Sequence, residues 1–352
     1  MKKLLFLLMF LSTVACGQQF HWPWPTNLRL AVYALNHYAQ VRHIAPNVPS
    51  YQLWAIDKAS LIRVEAAARR VSPDAMFKSY MSVAKVQPTK QNVAYPHSIG
   101  FDRLDDSDWY TVDNRHFWLR LGQAATARKV QDWIVPEIIR RGWSLVHFNN
   151  VVPPWAWSGA QPWPVQMTHV RALTQRLNVA SIRTEVNTAT VPGLMTDEQI
   201  QLLTVSANGF TFEMAWHRNI LKRRTRIERQ LVIYRRWLGQ DKAVGWHIVL
   251  DPTKVSSSRT RLDVQDAEAR FLAALAMCVR EPGDFLWVGA RFYRITHDEK
   301  WSRWVEDAGV ALGPWEMPNA VDPPATISRR YTNGIIVASF VLRDGWFFPR
   351  KN

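Results

Sequence analysis

A (β/α)8 barrel is the fold the sequence predicts, and three observations predict it. Eight short apolar runs, most ending on a polar or charged residue, alternate with helix-patterned stretches between about residues 28 and 310. The chain has 352 residues, enough for one barrel and a small appendage. Its one internal period is this βα alternation, with no low-complexity tract and no solenoid repeat.

The strand-like runs are LRLAVYAL (28–35), YQLWAID (51–57), AMFKSYM (75–81), WSLVHFN (143–149), ASIRTEV (180–186), NGFTFEM (208–214), AVGWHIVLD (243–251) and DFLWVGA (284–290). Each is rich in β-branched, aliphatic or aromatic residues. Helical spacing of apolar residues marks 59–70, 129–140, 164–177, 196–206, 219–238, 264–280 and 297–308. The barrel therefore spans 28–310, with a long insertion at 83–128 after the third strand. That insertion carries turn signals and the aromatic-acidic stretch FDRLDDSDWYTVD. Long excursions at a barrel's carboxyl face build clefts. The loop 151–163, VVPPWAWSGAQPW, leaves the fourth strand on the same face. The pattern changes after Gly309. Residues 311–352 read as a small antiparallel β extension, with turns expected at Asn333–Gly334 and Asp344–Gly345.

Residues 1–15 read as a signal segment: Lys2 and Lys3, an apolar run, then small residues before Cys16. The string STVAC followed by Gly17 resembles a bacterial lipoprotein signal, in which Cys16 would be lipidated; an ordinary secretory signal cleaved nearby is the alternative. The expectation is an exported, envelope-anchored protein, with residues 17–27 as linker and barrel entry. Cys278 sits in FLAALAMCV and reads as a buried core thiol, so no disulfide framework is expected. Net charge is +15, much of it on the helical stretch 219–238. That balance fits either a solvated outer helix or an anionic polymer partner. No nucleic-acid motif is present. The 18 Trp are numerous for this length, and Trp155, Trp157 and Trp163 fall in loop positions where aromatic faces pack against sugars.

Barrel enzymes keep their chemistry at the carboxyl ends of the strands. Side chains alternate faces along a strand, so one face of the sixth run carries Gly209, Thr211 and Glu213 and the other carries phenylalanines. The inward rim then gathers Asp57, Asn149, Glu185, Asn187, Glu213, His247 and Asp251, with His147 deeper. Glycoside hydrolysis needs two carboxyl groups flanking one bond. Glu213 is the expected acid/base, with Asp251, Glu185 or Asp57 as its partner. Asn149, Asn150, Asn187, His247, Trp155, Trp157 and Tyr33 are the expected sugar contacts. A metal hydrolase built on His147, His217, His247 and Asp251 is the rival chemistry, but HxH and HExxH spacings are absent. No cofactor motif, nucleophile elbow or phosphate loop is present.

Several loosely spaced landmarks carry a resemblance. They are YQLWAID, WYTVD (109–113), Trp133, GWSLVHFNN (142–150), Asn187, NGFTFEM with Glu213, FLAALAMCV, LGPW (312–315) and RRYTNGIIVASF (329–340). In their order the chain resembles a family of bacterial glycoside-hydrolase-like TIM barrels, the hypothetical glycosyl hydrolases, over roughly residues 28–342. The resemblance implies a barrel with a C-terminal β tail, a polysaccharide or oligosaccharide partner and an acidic residue at Glu213. The family typically reads Gly-Phe-Asp-Gly-Val-Phe-Leu-Asp-Asn at the fourth strand, where this chain has Ser144 and Asn149 in place of the two Asp. An amide is neither a nucleophile nor an acid–base group. Another carboxylate supplies that role, or Asn149 assists a substrate-derived group, or the protein binds carbohydrate without hydrolysing it. A third expectation is an envelope structural protein that uses the basic helix.

Overall fold

The computed structural model describes residues 29–34, 50–54, 76–86, 104–105, 107–111, 117–141, 145–152, 159–188, 190–213, 215–216, 218–248, 261–281, 284, 286–291, 304–318 and 322–351. The first strands are β1 (Arg29–Ala34), β2 (Ser50–Trp54) and β3 (Met76–Ser82). Then come β4 (Lys85–Val86), β5 (Trp109–Thr111), β6 (Phe117–Leu119) and α1 (Ala124–Arg141). The alternation continues with β7 (Leu145–Val151), α2 (Trp163–Val179), β8 (Arg183–Thr188), α3 (Asp197–Ser206) and β9 (Gly209–Glu213). After these follow α4 (Arg218–Leu221), α5 (Arg224–Leu238), β10 (Ala243–Ile248), α6 (Arg261–Val279), β11 (Leu286–Arg291) and α7 (Trp304–Asp307). The chain closes with β12 (Thr326–Tyr331), β13 (Gly334–Ser339) and β14 (Asp344–Pro349).

Eight strands form one parallel sheet in the order β1-β11-β10-β9-β8-β7-β3-β2, and β1 pairs with both β11 and β2. A parallel sheet needs helical crossovers and cover on its faces, which is why each strand must be strongly apolar on its helix side. Phe210, Phe212 and Trp246 supply that side for β9 and β10, each fully buried. Phe210 packs on Trp237 at 4.5 Å between ring centroids, and Trp246 packs on Tyr234 at 5.1 Å. Burial of side chains this large contributes roughly 1.5–3 kcal/mol each.

The stretch read as one helix over 219–238 is two helices, α4 and α5, separated at Lys222–Arg223. The fifth strand starts at Arg183, not at Ala180. Ala180 and Ser181 turn the chain out of α2, with Ser181 in the left-handed region at φ 58°. The helical stretch 59–70 lies outside the described residues.

Helix α5 shows where much of the positive charge goes. Arg224 pairs with Glu228 at 2.7 Å, Arg229 with Asp197 at 2.7 Å, and Arg235 with Asp284. Arg229 also reaches the Met195 carbonyl, and Arg235 the Val279 carbonyl. These arginines tie α5 to its neighbours, while Lys222, Arg223, Arg226 and Arg236 are exposed.

The antiparallel sheet β12-β13-β14 packs on α6. Arg329, buried, donates to the carbonyls of Gly313, Cys278 and Arg280, capping the end of α6. Asp344 takes both Nε and Nη2 of Arg270. The first turn is Thr332–Asn333, with Gly334 opening β13. The second turn is 340–343, so Asp344–Gly345 lie in β14 and not in a turn as the sequence predicts. Gly345 lies close against α6, where a Cβ would come within 2.4 Å of the Arg270 carbonyl oxygen.

Candidate active site

The register across β7, β8 and β9 decides which side chains meet. His147 pairs with Glu185, and Asn187 with Thr211. These residues share the face turned away from the helices. Glu185 is 1% exposed and Thr211 is fully buried. The Thr211 hydroxyl donates to Glu185 Oε1, and His147 Nδ1 lies 3.6 Å from Glu185 Oε2. A buried carboxyl group is costly unless hydrogen-bonded, and the Thr211 hydroxyl supplies such a bond.

One step toward the carboxyl ends, Asn187 Nδ2 donates to Asn149 Oδ1 at 2.9 Å. Asn187 is 5% exposed, whereas Asn149 is half-buried. Two residues beyond Thr211, Glu213 closes β9 and stands opposite His247 in the β9–β10 register. For Glu213, His247, Asn150 and Tyr33 it is the backbone that is described: β9, β10, β7 and β1 carry them. Asp57, Asp251, Trp155, Trp157, His217 and Cys16 lie outside the described residues. Among the described residues no group of three or more His, Cys, Asp or Glu is placed to hold a metal ion, and no helix is long and apolar enough to cross a membrane.

Two buried glutamines hold the loops that leave these strands. Gln166 on α2 accepts from the Val152 amide at 3.1 Å and donates to the carbonyls of Val152 and Gln161 at 2.6 Å. Gln230 on α5 accepts from the Gly193 amide at 3.2 Å and donates to the Ala215 carbonyl. A side-chain amide can stand in for a peptide group, offering N–H donors and an acceptor oxygen to the loops around it. Gln166 fixes the exit from β7, and Gln230 fixes the exits from β8 and β9 together. Sequence reasoning missed both, because a single polar residue on an amphipathic helix carries no local signal.

The insertion after β3 contributes the small antiparallel sheet β4-β6-β5. Tyr110 on β5 donates to the Gly159 carbonyl at 2.5 Å and accepts from Gln161 at 3.0 Å. Burial raises the Tyr110 hydroxyl's pKa. Trp118 is fully buried with Val152 and Ala160. The insertion thus leans on the loop after β7. Two of its acidic residues are structural: Lys129 bonds Asp105 at 2.9 Å and Asp108 at 2.7 Å, and Thr126 donates to Asp108. The hydrogen bonds from Ser107 and Lys129 hold Asp105 down at about 2.

No family model matches the chain, and no curated protein matches its sequence. Solved structures do match its fold. Ega3 of Aspergillus fumigatus, solved in complex with galactosamine, is 14% identical, with a TM-score of 0.50 over 77% of this chain and 94% of Ega3. The noncanonic maltogenic alpha-amylase AmyB of Thermotoga neapolitana is 8% identical, with a TM-score of 0.53 over 90% of this chain and 86% of AmyB. The GH36 alpha-galactosidase AgaB of Geobacillus stearothermophilus is 10% identical, with a TM-score of 0.50 over 89% of this chain and 47% of AgaB. At these identities the likeness is one of fold alone.

Proposed function

We propose that the chain is a closed (β/α)8-barrel glycoside hydrolase acting on a polysaccharide or oligosaccharide at the carboxyl ends of its strands. The observation that carries this reading is the layered polar face of β7 to β10. Glu185, Thr211 and His147 lie buried at its base, Asn149 and Asn187 are bonded above them, and the backbone register sets Glu213 beside His247 where β9 ends. Glu213 is the acid/base of the proposal. Asp251 or Asp57 supplies the second carboxylate. Glu185, sealed beneath Asn187, supports the site from below and is the weaker choice of partner. Asn149, Asn150, Asn187, His247, Tyr33, Trp155 and Trp157 contact the sugar. Export and lipidation at Cys16 belong to the same proposal, on the strength of residues 1–17.

A second reading is favoured by one observation. Asn149 stands where a carboxylate would be expected and its Oδ1 accepts from Asn187, an arrangement suited to holding a sugar without cleaving it. Reducing-sugar release from neutral and anionic polysaccharides, measured beside Glu213→Gln, decides between the two. Release by the wild type that collapses in the variant supports the hydrolase. Release that survives the variant moves the acid/base to another carboxylate. Binding without release supports the carbohydrate-binding protein.

A further inference from the structure

We propose a second saccharide-binding site on the outer wall, for a neutral glycan chain. A groove of about 750 Å³ lies between α5 and the segment that pairs with the edge of β12. Sites for small ligands run from about 300 to 1,000 Å³. Trp315, Met317 and Val232 give it apolar walls, and Glu228, Glu316 and Ser328 give it polar ones.

The electrostatics select the ligand. Arg224 also lines the groove, but its guanidinium is engaged: Nε with Glu228 at 2.7 Å, Nη1 with the Pro318 carbonyl at 2.8 Å and Nη2 with the Met317 carbonyl at 3.4 Å. Glu228 balances its charge, and Glu316 leaves the wall acidic. In a chain of net charge +15 this surface disfavours polyanions. What remains is an aromatic wall beside hydrogen-bond acceptors. Trp315 fits the C–H face of a sugar ring, and Glu228, Glu316 and Ser328 fit its hydroxyls.

The groove opens onto a flat track. Across the solvent face of the C-terminal sheet, Ser328, Val337 and Trp346 form one cross-strand row, and Arg330, Ile335 and Phe348 form the next. Ile335 is 40% exposed and Phe348 54%. An extended chain held at Trp315 has Val337, Trp346, Ile335 and Phe348 to lie on, with Ser328 and Arg330 on the edge strand. The carbohydrate partner is shared with the hydrolase reading; the site is not.

Affinity electrophoresis through native gels containing dextran, hydroxyethyl cellulose, soluble starch or alginate tests the proposal. At least one neutral polymer should retard the protein, and Glu213→Gln should be retarded equally. Trp315→Ala and Val232→Arg should each weaken that retardation about tenfold or more. Trp315 packs on the core, so Val232→Arg, at a 50% exposed position, is the variant that keeps the fold while filling the groove. Unchanged retardation in Val232→Arg, retardation by alginate alone, or none by any neutral polymer overturns the proposal. Hydrolysis enters none of these outcomes, so failed turnover sinks the hydrolase reading and leaves this one standing.

Discussion

The side-chain amide of Asn187 donates to Oδ1 of Asn149 at 2.9 Å, joining β8 to β7 near their carboxyl ends. This bond fixes the direction in which Asn149 offers its remaining polar group. Asn187→Ala removes the donor and should cost roughly 1–3 kcal/mol, seen as a lower Tm. The same variant should lower turnover, or sugar binding, because Asn149 is released. Asn149→Asp keeps the acceptor and should keep the wild-type Tm. Equal melting of wild type and Asn187→Ala would refute the role given to this bond.

Thr211 and Glu185 form the layer beneath. Thr211→Val preserves shape and deletes the hydroxyl that donates to a carboxylate 1% exposed. Loss of a hydrogen bond to a buried carboxyl group costs on the order of 1–3 kcal/mol. Urea denaturation measures it. A midpoint within error of wild type would mean that Glu185 draws its support from elsewhere.

His169 on α2 is 2% exposed, and burial depresses its pKa to about 4 from 6.5. Above 6.5 the ring is neutral folded and unfolded alike. Between pH 6.5 and 4 the unfolded chain binds a proton that the folded chain refuses, so stability falls with pH by up to about 3 kcal/mol. His169→Gln should flatten the Tm profile over that window. An unchanged slope would show that other groups govern the acid limb.

Gln230 spans two loops, and Gly193 sits against it. A Cβ at Gly193 would meet Ile220 Cδ1 at 2.9 Å and the Arg226 carbonyl at 3.1 Å. Gln230→Leu strands the Gly193 amide and the Ala215 carbonyl, and Gly193→Ala pushes the first loop off its seat. Both should speed hydrogen exchange at 191–195 and at 215–216, at a cost of about 2 kcal/mol or more for the glutamine. Faster exchange at only one of the two loops would break the proposed coupling between them.

Alternation alone placed Glu185 with Asn187, and Gly209 with Thr211 and Glu213, because the period of two is written into each strand. Which partner each one meets is a property of register between strands, so the Asn187–Asn149 and Thr211–Glu185 bonds were not legible. The arginines of α5 illustrate a second limit. A run of like charge reads as a surface feature, yet Arg229 and Arg235 reach acidic residues 32 and 49 positions away. In the C-terminal sheet the β-rich runs were readable, whereas the second turn was displaced. Asp344 and Gly345 look like turn formers, but Arg270 and the close wall of α6 claim them for β14.

Arg343 bears on how the molecule is made. Its Nη1 donates to the Trp216 carbonyl at 2.6 Å, three residues beyond Glu213, while its other nitrogens hold Glu268. Every residue proposed for the barrel site has left the ribosome by position 251. The arginine that braces the segment after β9 emerges more than ninety residues later, and the strand that seats it, β14, later still. The segment after β9 is therefore braced only once Arg343 has been made. A nascent chain carries its chemistry unbraced until the C-terminal sheet has followed the barrel.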